Sequence, residues 1–220
     1  MTQRIQAIAK AATLLFLRQG YSKTQISHIA KAVGVSVGTI YHDFVGKKEI
    51  MHYILKSTIQ PSFSEQEIET PISDDNFAGL EQDIVKIFKA SAVEFKEPLL
   101  QELNNYSFEA LISDAFDLLT RYAAGCLFIE KNQYDFPFLA ENYRIYRKEF
   151  FSTMTEYLKA FIKKGIIREI DNMELTTVLI VETLSWWAMD MRYTSFEISD
   201  IPIEAAKKVC MDNIISAYKR

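Results

Sequence analysis

The chain concentrates hydrogen-bonding side chains in one short stretch, residues 24–48, whose sequence is TQISHIAKAVGVSVGTIYHDFVGKK. Hydroxyl, amide and imidazole groups can bond phosphate oxygens or the edges of bases in a DNA groove, and a valine can meet a thymine methyl group. We predict that seven residues face such a partner: Thr24, Gln25, Ser36, Val37, Gly38, Thr39 and His42. Thr24, Gln25 and Ser36 are the candidates for phosphate, although Ser36 could equally serve only as a helix cap.

Two short helices around a tight turn would position these side chains. Apolar residues recur at helical spacing on both sides of the turn, with Ile26, Ile29, Ala30 and Val33 before it and Ile40, Tyr41 and Phe44 after it. Gly34 suits a turn with positive φ, and the Ser36 hydroxyl can accept from a backbone N–H of the second helix. The spacing indicates a helix-turn-helix, whose second helix enters the major groove, although an ordinary pair of helices shows the same pattern.

The distribution of charge separates these two alternatives. The first sixty residues contain eight basic residues and only two acidic ones, Asp43 and Glu49, whereas the whole chain has 25 basic and 29 acidic residues. A basic front on an otherwise acidic chain is the electrostatic pattern of a phosphate-binding surface. A solvated charged surface without a partner would not explain why acidic residues avoid this segment.

The whole chain is predicted to be all-α, because helix-forming residues dominate and no alternating apolar run is present. Periodic spacing predicts helices at residues 3–19, 25–32, 37–44, 47–60, 77–95, 106–131, 139–164, 173–192 and 203–218, and Pro98 is expected to break the fifth of them. We expect a three-helix DNA-binding domain at residues 1–47, joined by the fourth helix to a helical ligand-binding and dimerisation domain at residues 48–220. Residues 61–76 are polar and contain two prolines, so they are expected to form an exposed loop or a hinge.

Residues 4–55 resemble the DNA-binding head of TetR-type (TetR/AcrR) transcriptional repressors. The resemblance rests on Phe16, Gly20, Tyr21, Thr24, Ile29, Ala30, Gly34, Val35, Ser36, Gly38, Thr39, Ile40, Tyr41, Phe44, Lys47, Glu49 and Ile50. It implies that Tyr41 and Lys47 clamp phosphates; Lys47 also stands at a helix start, where backbone N–H groups attract anions. Tyr41 could instead pack beneath the first helix. Asp43 departs from the pattern because it would repel a phosphate, so we expect it to turn away or to pair with a lysine.

The resemblance also implies a small-molecule cavity in the helical body, where aromatic and sulfur side chains cluster. We predict a ligand site lined by Phe116, Leu119, Tyr122, Cys126, Tyr143, Tyr146, Phe150, Glu182, Trp186 and Met189. Glu182 interrupts an apolar run and would favour a cationic or hydrogen-bonding ligand, or it could pair across an interface. The same aromatic residues at helical spacing also fit a plain hydrophobic core.

The body has more apolar helix surface than contacts within one subunit would use. We predict a homodimer interface formed by Phe151, Met154, Leu158, Ile162, Ile180, Leu184, Trp187 and Met191. A symmetric dimer would place two heads one helical turn of DNA apart, or a multiple of it, as a palindromic operator requires. In a monomer both apolar surfaces would instead be core.

These features predict a homodimeric repressor that a small, largely apolar or aromatic ligand releases from its operator by a shift in conformational population. The alternative is a ligand-independent DNA-binding factor or activator with a helical dimerisation body. The sequence shows no nucleophile–base arrangement, glycine-rich phosphate loop or metal motif, and its three histidines all precede residue 53. We therefore expect no enzyme activity, no metal and no cofactor.

We expect a cytoplasmic protein that does not enter the membrane. Residues 1–19 are basic and partly apolar, which faintly resembles a targeting peptide, but no small-residue cleavage site follows them. The longest apolar stretch, residues 178–189, is too short to span a bilayer and contains Glu182. Cys126 and Cys210 lack metal spacing and are expected to be buried thiols.

Overall fold

The computed structural model describes residues 2–196 and 201–220, and the regular structure of these residues is helical, which confirms the predicted all-α class. The helices are α1 Thr2–Gln19, α2 Ile26–Val33, α3 Val37–Asp43, α4 Lys47–Ile59, α5 Leu80–Leu100, α6 Phe108–Lys131, α7 Pro137–Lys163, α8 Met173–Ser185 and α9 Ile203–Tyr218. α8 continues as a π-helical turn, Trp186–Asp190, and a last α-helical turn, Met191–Tyr193. None of the helices described is long and apolar enough to cross a membrane.

The described residues divide into two compact units. Unit 1 comprises the chain up to Ile87 together with Ala124–Ala140, and unit 2 comprises Phe88–Ala123 together with Glu141–Arg220. Unit 1 therefore contains α1 to α4, unit 2 contains α8 and α9, and α5, α6 and α7 contribute residues to both. The domain boundary predicted between residues 47 and 48 stays a prediction.

Unit 1 is built on the apolar face of α1. Ile8, Ala12 and Phe16 recur every four residues and are completely buried, so they form one face of the helix. α1 packs against α2 and α4, and α2 packs against α3, where Ile29 and Ile40 are also completely buried. This packing holds α3 at the surface of unit 1 with its apolar side turned inward.

The connection between α4 and α5 is largely exposed but packs onto unit 1 at a few apolar side chains. It contains two 3₁₀ turns, Pro61–Glu65 and Asp74–Phe77, and it buries the side chains of Phe63, Ile72 and Phe77. The Ile72 N–H donates to the Asp43 carbonyl at 2.8 Å, and its carbonyl accepts from the Val45 N–H at 3.0 Å. The segment that the sequence left as an exposed loop or a hinge thus pairs with the backbone after α3.

The expectation that Pro98 breaks the fifth helix is wrong, because α5 continues to Leu100. A proline in the last turn gives up only its own hydrogen bond to the carbonyl four residues earlier. The turn is then closed by the N–H of Gln101, which donates to the Glu97 carbonyl at 3.1 Å, and by that of Leu103, which donates to the Pro98 carbonyl at 2.9 Å.

Unit 2 has a dense core between α7 and α8. Met154 and Leu158 of α7 are completely buried, as is Leu184 of α8, and Ile180 is almost so. The Tyr157 hydroxyl donates to the Phe95 carbonyl at 2.7 Å, which satisfies the polar end of a buried aromatic side chain.

Both cysteines are buried thiols, as predicted. Burial raises the pKa of the Cys210 thiol to about 11, so little of it is thiolate at neutral pH. Because the thiolate is the reactive form, this side chain behaves as a small apolar residue.

Candidate nucleic-acid interface

Local backbone bonds set the turn between α2 and α3. Gly34 has φ of 79° and ψ of 32°, the left-handed conformation predicted for it, which strains any residue that carries a Cβ. The N–H groups of Gly34 and Val35 both donate to the Ala30 carbonyl, at 2.9 and 3.0 Å, and so close the last turn of α2. The Ser36 hydroxyl accepts from the Thr39 N–H at 3.0 Å, which confirms Ser36 as the cap of α3.

The start of α2 separates two of the predicted phosphate contacts. Gln25 is exposed at the N-cap, and its backbone N–H donates to Nδ1 of His28 at 3.3 Å. Thr24 is buried, since its hydroxyl donates to the Gly20 carbonyl at 2.8 Å and accepts from the Gln19 side-chain amide at 3.1 Å. The structure therefore places Gln25 at the surface and Thr24 in the interior of unit 1.

One face of α3 is open to solvent although it carries apolar side chains. Val37 is 41% exposed and Tyr41 is 51% exposed, so Tyr41 does not pack beneath α1. His42 is exposed as well. Ile40 and Phe44 point inward and are completely buried. These buried side chains hold α3 against unit 1, and its exposed side carries residues that are predicted to contact DNA.

Gly38 and Thr39 complete the surface of α3. Gly38 is exposed, and a Cβ built on it would meet only the Ser36 hydroxyl oxygen at 3.6 Å, an ordinary contact. The fold therefore does not require glycine here, even though glycine within a helix costs roughly 0.5–1 kcal/mol relative to alanine. Thr39 is half-buried, and its hydroxyl lies 2.9 Å from that of Ser36.

Asp43 is completely buried and belongs to an ion pair that the sequence analysis did not identify. Arg4 of α1 donates from Nε to Oδ2 at 2.6 Å and from Nη2 to Oδ1 at 2.5 Å, and Nδ1 of His42 lies 3.0 Å from Oδ1. Burial on its own raises the pKa of the Asp43 carboxyl, but the hydrogen bonds from Arg4 and His42 outweigh it and hold that pKa below its usual value. Asp43 turns away from solvent as expected, but its partner is an arginine and not a lysine.

Lys47 is tied to the turn that follows α1. Its ammonium group donates to the Tyr21 carbonyl at 2.9 Å and lies 4.2 Å from the centre of the Tyr21 ring. The Tyr21 N–H in turn donates to the side-chain carbonyl of Asn132 at 2.7 Å. Lys47 is half-buried at the first position of α4, where the helix N-terminus also attracts anions.

The basic character of the first sixty residues is reduced by ion pairs with later acids. Lys48 contacts Asp74 at 2.5 Å, and Lys56 contacts Asp83 at 3.3 Å. The remaining exposed lysines of the head are Lys10, Lys23 and Lys31. The sequence count of charge therefore overstates the positive charge that this surface offers to a polyanion.

The residues predicted to line a ligand site are packed largely as core. Phe116, Tyr143, Phe150 and Met189 are buried in unit 2 and Cys126 in unit 1, Leu119, Tyr122 and Tyr146 are half-buried, and Trp186 is exposed. Glu182 is exposed and accepts a hydrogen bond from Arg147 at 2.7 Å. This carboxylate therefore already has a cationic partner within its own unit.

Unit 2 contains a pocket of 240 Å³ that none of these ten residues lines. Its walls are formed by Ser91, Glu94, Phe95, Pro98, Tyr106, Asp114, Asp117, Leu118 and Arg121. The Tyr106 hydroxyl donates to Asp114 at 2.8 Å, and Asp117 accepts from Lys207 at 2.6 Å. Burial and the neighbouring Asp114 raise the pKa of Tyr106, so its phenol remains a donor. Among the described residues no cluster of histidine, cysteine and carboxylate side chains could hold a metal ion.

The residues predicted to form a dimer interface divide into two groups. Met154, Leu158, Ile180 and Leu184 belong to the core of unit 2, and Phe151, Ile162, Trp187 and Met191 are half-buried. The exposed apolar residues of α8 and its continuation lie on another face: Leu175, Val178, Leu179 and Trp186. Both sides of this helix are apolar, and the structure shows which side the subunit itself covers.

A helix-turn-helix domain is thus defined by α2, the Gly34 turn and α3, and comparison with known proteins agrees. The family of bacterial regulatory proteins called tetR matches residues 8–54. The chain is 30% identical over 100 residues to the HTH-type transcriptional regulator AcrR of Shigella flexneri, an alignment that covers 44% of this chain and 46% of AcrR. It is 41% identical over 70 residues to the HTH-type transcriptional regulator HbdR of Aromatoleum sp. (strain CIB), covering 32% of this chain and 30% of HbdR.

A solved structure extends the likeness of fold to the rest of the chain. The ketosteroid transcriptional regulator KstR2 of Mycobacterium tuberculosis superposes with a TM-score of 0.57 at 14% identity, covering 99% of this chain and 95% of KstR2. The alignments with AcrR and HbdR span less than half the length of those proteins. The match to the tetR family is therefore carried by residues 8–54, and the likeness of the remaining residues to KstR2 is one of fold.

Proposed function

We propose that this chain is a DNA-binding transcriptional regulator that reads its operator with α3. The observation that carries the proposal is the exposed face of α3, where Val37, Tyr41 and His42 are solvent-accessible. The fold does not require a glycine at position 38 of this face. An exposed helix that is anchored by buried residues after a tight turn has the form of a recognition helix. The match of residues 8–54 to the tetR family supports the same assignment.

The exposed groups divide by chemistry into base contacts and phosphate contacts. Val37 is suited to a thymine methyl group, and Thr39 and His42 to hydrogen bonds with base edges. Phosphate contacts come from Gln25 and Ser36, and from Tyr41 and Lys47 by family resemblance. Lys47 has donors left after its bond to Tyr21, because an ammonium group carries three hydrogens. Thr24 is outside this set because its hydroxyl is engaged inside unit 1.

Gly38→Ala tests the role of α3 without harming the fold. The added methyl group meets only ordinary contacts in the free protein, and alanine favours the helix by up to roughly 1 kcal/mol. We expect stability to be unchanged or raised while affinity for a duplex selected from a random pool falls, measured by thermal unfolding and fluorescence anisotropy. Unchanged affinity, or failure of the parent to bind any duplex at about 50 mM salt, would refute the proposal.

The regulator is proposed to act as a homodimer through the exposed face of α8. Leu175 is 66% exposed and Leu179 is 61% exposed, and both lie at helical spacing with Val178 and Trp186. A contiguous apolar helix face of this kind is typical of a protein–protein interface. A twofold dimer would place two copies of α3 on a palindromic operator. This face replaces the buried residues of α7 and α8 named from the sequence.

The regulator is further proposed to be a repressor released by a small-molecule effector. The pocket in unit 2 supports an effector. Its walls combine the Phe95 and Tyr106 rings with one guanidinium group and an excess of carboxylates: Arg121 against Glu94, Asp114 and Asp117. This chemistry favours an organic cation with an apolar body, which would replace the role first given to Glu182. Release requires only that the effector bind the DNA-free conformation more tightly than the DNA-bound one.

A panel of lipophilic cations, fatty acyl compounds and neutral aromatic compounds tests this part of the proposal. An effector should raise the unfolding temperature and release the protein from its selected duplex, and Asp114→Asn should weaken both effects. If a compound stabilises the protein and affinity for DNA stays the same, release is excluded. If no class stabilises it, the ligand-independent factor becomes the better assignment.

A further inference from the structure

The buried carboxylate of Asp43 constrains the ring of His42, its neighbour on α3. His42 is 62% exposed, but its Nδ1 lies 3.0 Å from Oδ1 of a carboxylate that is completely buried. Arg4 binds the same carboxylate through two hydrogen bonds. The backbone at Asp43 is also held, because its carbonyl accepts from the Ile72 N–H at 2.8 Å. The carboxylate that the ring contacts is therefore held in place by groups on α1 and on the α4–α5 connection.

The chemistry of the carboxylate decides which ring nitrogen of His42 carries the proton. Arg4 is always charged, and it keeps the Asp43 carboxyl ionised, so both carboxylate oxygens can only accept hydrogen bonds. Nδ1 of His42 must then be the donor, with its hydrogen directed at Oδ1. In the neutral imidazole this leaves Nε2 without a hydrogen, as an acceptor. By contrast, the hydroxyls of Ser36 and Thr39 can either donate or accept.

We propose that Asp43 is a positioning residue that makes His42 select a base with an exocyclic amino group, adenine or cytosine, in the major groove. An acceptor-only Nε2 can bond the N6 amine of adenine or the N4 amine of cytosine, and it is repelled by the O6, N7 or O4 atoms of guanine and thymine. The inference rests on the proposed function of α3. It adds a specificity-determining pair, Arg4 and Asp43, that does not itself touch DNA.

The tautomer of His42 can be measured in the full-length protein without DNA. The chain has three histidines, so ¹⁵N-labelled imidazole spectra at pH 8.5 are simple, and His42→Gln assigns the signals. We expect Nδ1 protonated and Nε2 bare in the parent, and a mixture of tautomers in Asp43→Asn, whose amide can donate as well as accept. A proton on Nε2 in the parent would overturn the proposal, whatever the protein does with DNA.

Base analogues that lack only the amino group test the readout itself. Deoxynebularine replaces each adenine, and the 2-pyrimidinone nucleoside replaces each cytosine, one at a time in a duplex selected at pH 8.5. At one position per binding site the substitution should weaken binding of the parent by about fivefold or more, the scale of one hydrogen bond. His42→Ala should bind the natural and the substituted duplex with equal affinity at that position. The energetic coupling between the base and the His42 side chain is then absent in this variant.

Two further variants separate positioning from charge. Asp43→Asn should shrink this coupling while binding at other positions persists. Asp74→Asn removes one carboxylate from the same unit, at an exposed site paired with Lys48, and should keep the coupling intact. Absence of coupling at every adenine and cytosine, with specific binding retained, would overturn the proposal and leave the proposed function standing. Absence of all DNA binding, despite the expected tautomer, would overturn the readout together with the proposed function.

Discussion

Leu179→Glu tests the proposed dimer at the most informative position of α8. Fully burying a leucine side chain stabilises by about 1.5–3 kcal/mol, and Leu179 has 61% of its surface still exposed in the subunit. An interface that covers it would therefore gain about 1–2 kcal/mol from each subunit. Twofold symmetry doubles this to about 2–4 kcal/mol, or roughly 30- to 900-fold in the dimer dissociation constant. The buried charge of the glutamate adds to the loss.

Sedimentation velocity over a range of protein concentrations measures this dissociation constant. Val93→Glu is the matched control, because Val93 is an equally exposed apolar residue of unit 2, at 68%, but lies on α5. We expect Leu179→Glu to dissociate the dimer while Val93→Glu leaves it intact. Equal behaviour of the two variants, or a parent that is monomeric at every concentration, would refute the reasoning. Ile180→Ala should lower unfolding stability without changing association, because Ile180 is core.

Three other predictions concern unit 1. Lys47→Ala should weaken binding to every duplex and reduce the slope of log affinity against log salt by about one, whereas Thr39→Ala should change sequence preference. Anisotropy titration measures both effects. If both variants affect random and selected DNA equally, this assignment is contradicted. The lowered pKa of Asp43 stabilises the fold above the pKa of an unfolded aspartate, about 3.9, and this stability is lost as pH falls through the folded value. Amide exchange in α3 should therefore accelerate below about pH 4, and at higher pH in Arg4→Ala; identical pH profiles would contradict the buried pair. Ile72→Ala should destabilise unit 1 by about 2–4 kcal/mol, because the side chain is completely buried. Amide exchange in α3 and α4 measures this loss of stability. A change below about 0.5 kcal/mol would show that the α4–α5 connection is not docked.

Local signals made the helix-turn-helix predictable from sequence. The left-handed Gly34 and the Ser36 cap depend on neighbours within four residues. Within each helix the apolar residues follow the helical period, as Ile29 and Val33 do before the turn and Ile40 and Phe44 do after it. The ion pair of Arg4 and Asp43 joins residues 39 positions apart. No local rule assigns such a partner, although an acid isolated in a basic segment signals that it needs one.

The faces of α8 could not be assigned in the same way. Ile180 and Leu184 on one side and Leu175 and Leu179 on the other are all aliphatic, so periodicity alone cannot tell which side meets the rest of the subunit. Residues 61–76 were predicted as an exposed loop or a hinge, and the points at which this segment packs onto unit 1 could not be predicted, for a different reason. Their few buried apolar side chains are spaced irregularly among acidic and proline residues, and no period marks them as packed.

The docking of the α4–α5 connection also sets the size of the smallest fragment that could carry the reading surface by itself. A fragment cut after α4 would lose two backbone hydrogen bonds. They are the bond from the Ile72 N–H to the Asp43 carbonyl and the bond from the Val45 N–H to the Ile72 carbonyl. It would also lose the aromatic contact between Phe63 and the ring of Tyr53. Transplanting this head onto another protein therefore requires a graft that extends at least through Phe77, well beyond the helix-turn-helix itself.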